Sequence, residues 1–488
     1  MAIKLKEDLI KIVGAKNFSD DPEILQQYST DYSLVPARIP TCVVKPKNTE
    51  EIQKIVKLAN ELKTPIVPCS SGIHFNGATV PSQAGIILDL RRMNRILKVD
   101  ERNRKVRIEP GVTWGQLQAE LKKYNLIALN PLLPNAQKSA LSSQLEREPM
   151  LIPKFEYSDP IINMEVVLPT GNILRTGSAS TPDALSPDSN TDLCNPYGPG
   201  IDFYRLFQGA QGTLGIVTWI NVKVEYLPNL QKTFFIPFEK IDDAIDPIYR
   251  IQRLMMGNEC LLLNNINLAS ILIEKWPGDF DVLRDTLPPL TAILVLAGGR
   301  RLSAEKIEYE EEALMGIESE FAIKILTKLP DVTPRTEKIM PEKLRSPWSE
   351  EETYWKLRYK GACQDIFFHT TMDKVPELTK VINQLAAKYE YPRKDVGFYL
   401  QPLERCHVAH CEYNFYYDPE NLTEVQDIQS LYGEAVDALS NIGALFTRPY
   451  GQAADIIYSK SAAYTVALKK VKNILDPNDI LNPGKICF

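Results

Sequence analysis

The stretch from Pro65 to Gly115 constrains the chain most. It reads P-I-V-P-C-S-S-G-I-H-F-N-G-A, then G-I-I-L-D-L-R-R-M-N-R-I, then V-R-I-E-P-G-V-T-W-G. A strand-like run ends in a loop of small residues: Ser70, Ser71, Gly72, Asn76, Gly77 and Ala78. Two further strands follow at close spacing. Small residues let backbone N–H groups approach and cradle a pyrophosphate without Cβ clashes. No G-K-[ST] follows, so this is not a Walker loop, and no G-x-G-x-x-G opens a helix. The stretch reads as a third way of holding a dinucleotide.

The length of 488 residues suggests two or three folding units. The net charge of −6 argues against a general nucleic-acid binder, which would show a basic face. No apolar run approaches the roughly 20 residues that span a bilayer. The start, M-A-I-K-L-K-E-D-L-I-K-I-V, mixes charge among its apolar positions and reads as an amphipathic helix, not a signal peptide. Eight cysteines include no C-x-x-C, so neither a zinc ribbon nor an iron–sulfur cluster is signalled. Reduced thiols and a cytoplasmic location are the expectation.

Asn48–Leu62 predicts a helix, with Asn48 and Glu51 as a capping box and Ile52, Ile55, Val56, Ala59 and Leu62 as its apolar stripe. Ile66–Val67, Gly85–Leu90 and Val106–Glu109 predict strands, and Trp114–Leu121 a helix. Ile162–Leu168 and Ile173–Thr176 flank P-T-G-N, a hairpin turn. Residues 178–200 are rich in Ser, Pro, Asp, Asn and Gly and predict a surface loop. Leu214–Tyr226 predicts a long alternating strand. After Pro228 the pattern changes: helices at 305–317, 351–361 and 375–389 and a strand at Ala292–Leu296 suggest a second α+β domain. Ser461–Leu475 predicts a final helix, stopped by Asp476-Pro477.

Five segments, in this order, resemble the vanillyl-alcohol oxidase/p-cresol methylhydroxylase (PCMH-type) superfamily of FAD-linked oxidoreductases. They are the loop at Pro68–Ala78, G-I-I-L-D-L-R-R-M-N-R-I, E-P-G-V-T-W-G-Q-L, G-A-Q-G-T-L-G-I-V-T and the tail D-P-N-D-I-L-N-P-G-K. The resemblance implies an α+β fold with FAD as cofactor. It implies an FAD-binding domain of two α+β subdomains over 1–229 and an α+β cap with an antiparallel sheet over 230–440. Residues 441–488 would return to the first domain. M-E-V-V-L-P-T-G-N-I-L-R-T-G (164–177) and N-P-Y-G-P-G (195–200) look like the 4-cresol dehydrogenase/vanillyl-alcohol oxidase branch, which oxidises para-substituted phenols. The G-H-x-G-D-G-N-x-H of the lactate/glycolate branch is absent, and L-E-R-C-H-V-A-H-C-E-Y-N-F-Y-Y-D stands at its place.

Carried onto this sequence, the cofactor contacts are Pro68, Cys69, Ser70, Ser71, Gly72, Ile73, His74, Asn76 and Gly77 on the pyrophosphate side. Gly212, Thr213, Gly215, Ile216 and Val217 line the adenine and flavin side. The glycines would otherwise be turn formers. Some members attach FAD through a histidine at His74, but theirs follows Gly-Gly and this one follows Gly72-Ile73. The favoured reading of His74 is a loop histidine contacting phosphate or ribose.

His407 matches a cap histidine that the phenol-oxidising branch bonds to the flavin 8-methyl. Odd spacing puts His407 and His410 on opposite faces of a strand, so one alone can face the site. Three readings compete for His407: flavin link, proton acceptor or metal ligand, and plain cap histidine. Cys406, His407, His410 and Cys411 are four potential zinc ligands at the wrong spacing, and no metal is expected. Glu146, in Q-L-E-R-E-P, aligns with the branch's catalytic carboxylate near flavin N5, with Glu148 as fallback; the bland reading is a solvated charged loop. Arg448, in F-T-R-P-Y-G, matches an arginine that stabilises a phenolate, and it would equally hold a carboxylate. Tyr450 would add a hydroxyl. Phe75 and Thr447 stand where relatives carry tyrosines, so two phenol-activating hydroxyls are missing.

The expected activity is hydride transfer from a para-substituted phenol or related aromatic to flavin N5. The alternatives are a D-lactate- or glycolate-type 2-hydroxy acid dehydrogenase and an FAD-binding electron-transfer subunit of a larger complex. The expected partners are a small-molecule substrate and either oxygen or a protein electron acceptor. No nucleic acid or membrane span is expected, and a homo-oligomer is compatible with the sequence.

Overall fold

In the computed structural model of the chain, residues 2–151, 159–186, 191–274, 276–329 and 336–488 are described. Three sheets organise them. The first runs Phe18–Ser19, Cys42–Val44, Ile86–Asp89, Ile66–Cys69, with the last three strands parallel. The helix Thr49–Leu62 covers it with Ile52, Ile55, Val56 and Ala59. Asn48 caps that helix by accepting from the Glu51 N–H at 2.9 Å. The Glu51 carboxylate reaches the Lys47 N–H instead of closing the expected box on Asn48.

The second sheet is antiparallel and centred on Ile216–Tyr226, which pairs with Lys105–Ile108, Leu126–Ala128 and Ile161–Val167. The central strand is buried on both faces along most of its length and does not alternate as predicted. It has strands on both edges and helices packed over it, so neither face meets water. Ile161–Val167 and Ile173–Arg175 form the expected hairpin. In the 178–200 loop, residues 187–190 lie outside the described residues. Asp192 within it is buried and paired with Arg107, so this loop is not all surface.

The third sheet is antiparallel, in the order Leu230–Phe238, Leu290–Gly298, Glu259–Asn264, Val396–Leu403, Val408–Tyr417, Ala362–Thr370. One face is covered by Ile241–Arg253, Ser303–Phe321, Val375–Lys388 and Leu422–Asn441. The helix expected over 351–361 shrinks to Trp355–Arg358, because Lys356 and Trp355 turn inward to the sheet. The other face meets Leu132, Leu133 and Leu151 of the first unit. No helix among the described residues is long and apolar enough to cross a membrane.

The tail returns to the two loops singled out in the sequence. Leu481 bridges Ile66 in parallel. The Asn482 amide donates to the Ala78 and Gln211 carbonyls, and Lys485 Nζ to the Gly77 carbonyl at 2.8 Å. Lys472 Nζ, almost fully buried, donates to the Thr213 carbonyl at 2.9 Å.

Candidate active site

The loop after Ile66–Cys69 and the loop before Ile216–Tyr226 face each other across an open cleft. Pro68, Ser70, His74 and Asn76 line one side, and Gly212, Gly215, Ile216 and Val217 the other. Gly212 has φ +72°, and a Cβ there would lie 2.4 Å from Pro68 Cγ. Only glycine lets the two loops close together at that point. Cys69, Ser71, Gly72, Ile73, Gly77 and Thr213 do not line the cleft; they hold its walls. The Gly77 N–H donates to Asp31 Oδ2 at 2.7 Å, and the Thr213 hydroxyl to the Ala210 carbonyl at 2.7 Å. His74 Nε2 lies 2.8 Å from the Ser71 carbonyl and 3.3 Å from Cys69 Sγ, and burial lowers its pKa.

Glu146 and Tyr450 meet at one end of the cleft, where the tyrosine hydroxyl donates to Glu146 Oε2. Glu146 is the residue that ends the short helix Ala140–Leu145, itself capped by Ser139. Burial raises the Glu146 pKa above the usual carboxylate value, outweighing the Tyr450 hydrogen bond and the Arg448 field. Burial also acts on Glu148, but Lys138 and Arg448 outweigh it and hold that carboxylate below its usual value. Two neighbouring carboxyls whose environments push their pKa values apart suit different proton duties.

A second cavity, a chamber, lies between the first unit and the third sheet. Phe75 and Asn76 line both cavities, and Arg448 lines the chamber. Arg448 is nine-tenths buried, and its guanidinium stacks 4.3 Å from the centre of the Phe367 ring. Its Nε has no partner among the described residues. Phe75 stacks between Tyr32 and Tyr354, each 5.3 Å away by ring centres. Tyr354 and Tyr399 line the chamber, and the Tyr399 hydroxyl donates to Gln401 Oε1.

His407 does not join this group. It is exposed in the turn before Val408–Tyr417 and lines neither cavity. His410, on the strand proper, is fully buried on the inner face, 3.4 Å from Glu412. The half-turn Glu404–Cys406 swings His407 outward, and the strand begins one residue later. Cys406 and Cys411 pack in the apolar core on the helix-covered face, away from His410. Among the described residues, no three His, Cys, Asp or Glu side chains are grouped as metal ligands. Sequence reasoning missed Lys138, Ser142 and Gln211 in the cleft and Lys356, Asp365 and Glu412 in the chamber. Gln211 stood inside the quoted G-A-Q-G-T run; the chamber residues left no local signal, because they meet only across strands.

Comparison with known proteins fits this geometry. Residues 40–177 match the FAD binding domain family, and residues 363–486 match the C-terminal domain of FAD linked oxidases. The chain belongs to the vanillyl-alcohol oxidase/p-cresol methylhydroxylase superfamily of FAD-linked oxidoreductases. It is an FAD-linked oxidase or dehydrogenase of mixed α+β fold, and FAD is its cofactor. It is 25% identical to the glycolate oxidase subunit GlcD of Bacillus subtilis (strain 168), over 99% of this chain and 96% of that protein. It is 32% identical to the 4-cresol dehydrogenase [hydroxylating] flavoprotein subunit of Pseudomonas putida, over 49% of this chain and 44% of that one. The crystal structure of p-cresol methylhydroxylase with substrate bound superposes with a TM-score of 0.85 at 20% identity, over 100% of this chain and 96% of that one. The cleft suits the superfamily's cofactor where Gly212 lets one loop close on Pro68 of the other.

Proposed function

We propose that this oxidoreductase takes a hydride from a para-substituted phenol or a related aromatic, with residues 1–229 and the tail 441–488 holding FAD and residues 230–440 capping the substrate. FAD, when bound, supplies the hydride-accepting ring. The observation that carries the reading is Arg448: a buried guanidinium with no hydrogen bond or ion pair among the described residues, in a chamber walled by Phe75, Tyr354, Trp355, Phe367 and Tyr399. An unpaired buried cation among aromatic rings suits the phenolate of an aromatic substrate. In this reading Arg448 holds the phenolic oxygen as charge develops on it. Glu146 takes up a proton or steadies positive charge on the substrate, and Tyr450 orients its carboxylate.

The rival is a 2-hydroxy acid, favoured by the whole-length likeness to the glycolate oxidase subunit. Arg448 would then grip the substrate carboxylate. Anaerobic mixing with 4-cresol and with D-lactate separates the two. The expected result is bleaching of the flavin by 4-cresol and not by D-lactate. Bleaching by D-lactate alone supports the rival, and bleaching by neither supports an electron-transfer subunit.

A pH profile probes Glu146. Only the ionised carboxylate accepts a proton, and burial has raised its pKa. The rate of flavin reduction should therefore climb with pH through an ionisation above the ordinary carboxylate range. In Glu146→Gln that limb should vanish. An unchanged limb in the variant assigns it to another group and removes Glu146 from this role.

A further inference from the structure

The chamber carries charge at two ends, and the proposed function uses one. Its walls hold three cations and three carboxylates: Lys138, Lys356, Arg448, Glu148, Asp365 and Glu412. Lys138 pairs with Glu148. Lys356 Nζ donates to Asp365 Oδ2 at 2.5 Å and to Glu412 Oε1 at 2.6 Å. The second cluster therefore has two carboxylates to one ammonium. The Asn414 amide also donates to both carboxylates, at 2.6 and 2.8 Å.

Neither carboxylate is saturated. Each offers about four lone-pair sites. Asp365 meets Lys356, Asn414 and the Cys363 thiol, and Glu412 meets Lys356, Asn414 and His410. Burying such a cluster is weak evidence of a stabilising role, since apolar replacements often do as well. This cluster lines a cavity instead of sealing one.

The cross-strand register sets its place relative to Arg448. Phe367 stands directly opposite Glu412, and Asp365 is two residues along the same strand, on the same face. Arg448 stacks on the Phe367 ring. A substrate in this chamber thus meets an unpaired cation, Arg448 on the Phe367 ring, and a cluster of carboxylate acceptors further along the same strand. Tyr399, on the next strand, stands opposite Glu412 from the other side.

We propose that Asp365 and Glu412, held by Lys356, form a second substrate anchor that accepts a hydrogen bond from a donor substituent, a hydroxyl or an amine, on an aromatic whose phenolic oxygen sits at Arg448. The anchor rests on the phenol reading of the chamber. It makes the preferred substrate a bifunctional aromatic instead of a simple alkylphenol.

Two matched pairs test it on the FAD-loaded protein, by calorimetric titration under anaerobic conditions with the flavin reduced beforehand. One pair is 4-methylcatechol against 2-methoxy-4-methylphenol, which exchanges a donor for an acceptor. The other is tyramine against 4-ethylphenol, which adds a terminal amine. At least one donor ligand should bind about tenfold more tightly than its partner, the size of a hydrogen bond to a charged acceptor. In Glu412→Gln and in Asp365→Asn that ratio should fall toward one; a merely structural role would weaken both members of a pair alike. Ratios near one for both pairs in the parent protein overturn the anchor without recourse to a variant. So does a donor preference that survives both substitutions. If 4-cresol bleaches the oxidised flavin and both ratios stay near one, the anchor alone falls. If 4-cresol neither bleaches nor binds, the phenol reading falls and takes the anchor with it.

Discussion

Arg448→Met should slow anaerobic flavin reduction by a para-substituted phenol about 10²-fold or more, the usual loss when a preorganised charge aimed at a developing anion is removed. The substitution isolates electrostatics from packing. Methionine keeps a flexible apolar chain against the Phe367 ring, where the guanidinium now stacks. Arg448 has no hydrogen-bond or ion-pair partner among the described residues, so its removal breaks no direct contact, and Glu148, which loses the Arg448 field, keeps its pairing with Lys138. The fold should therefore survive, and circular dichroism and FAD content should match the parent. Arg448→Lys should recover part of the rate, because it restores the charge without the planar fork. A loss confined to KM would mean that Arg448 binds ground state and transition state equally. A variant reducing its flavin within about threefold of the parent rate would remove Arg448 from the chemistry.

The parts of this site that were legible in the sequence are the ones built by neighbours in the chain. Small residues at Ser70–Gly72 and Asn76–Ala78 mark a loop that must let something approach. Gly212 earns its place through a positive φ and contact with Pro68, a need that a local motif records. The cap at Asn48 and the hairpin around Gly171 are equally local. Long-range pairing decided the rest. Ile216–Tyr226 reads as a strand with one wet face, yet strands on both edges and packed helices bury it throughout. Lys356 falls in the helix predicted over 351–361, yet two carboxylates from two different strands draw it inward. His407 and His410 lie three residues apart, and which of them faces inward depends on where the strand begins. Glu146, Arg448 and Tyr450 come from segments some 300 positions apart, and the Tyr450 hydroxyl bond to Glu146 is invisible to any pattern along the chain.

Lys472→Met should destabilise the protein by about 3–5 kcal/mol, the cost of breaking a buried ion pair by removing one partner. Lys472 and Asp476 are both almost wholly buried, with Nζ 2.7 Å from Asp476 Oδ2. The same ammonium donates to the Thr213 and Leu481 carbonyls at 2.9 Å each. It therefore fastens the tail to the loop that forms one wall of the cleft. Its loss should lower the unfolding midpoint and loosen that wall, so that FAD is released more readily on dilution or gel filtration. The paired replacement Lys472→Met with Asp476→Leu separates charge from packing. Removing both ions avoids the orphaned carboxylate, so part of the stability should return. Recovery should stop short of complete, because Asp476 also accepts from the Ile480 and Leu481 N–H groups, at 3.1 and 2.8 Å. Those two bonds set the turn that delivers Asn482 and Lys485 to the carbonyls of Ala78, Gln211 and Gly77. A single variant that keeps both its unfolding midpoint and its FAD would show that the tail merely rests on the cleft. Parent-like stability with easier FAD loss would instead place the clamp's effect on the loop alone.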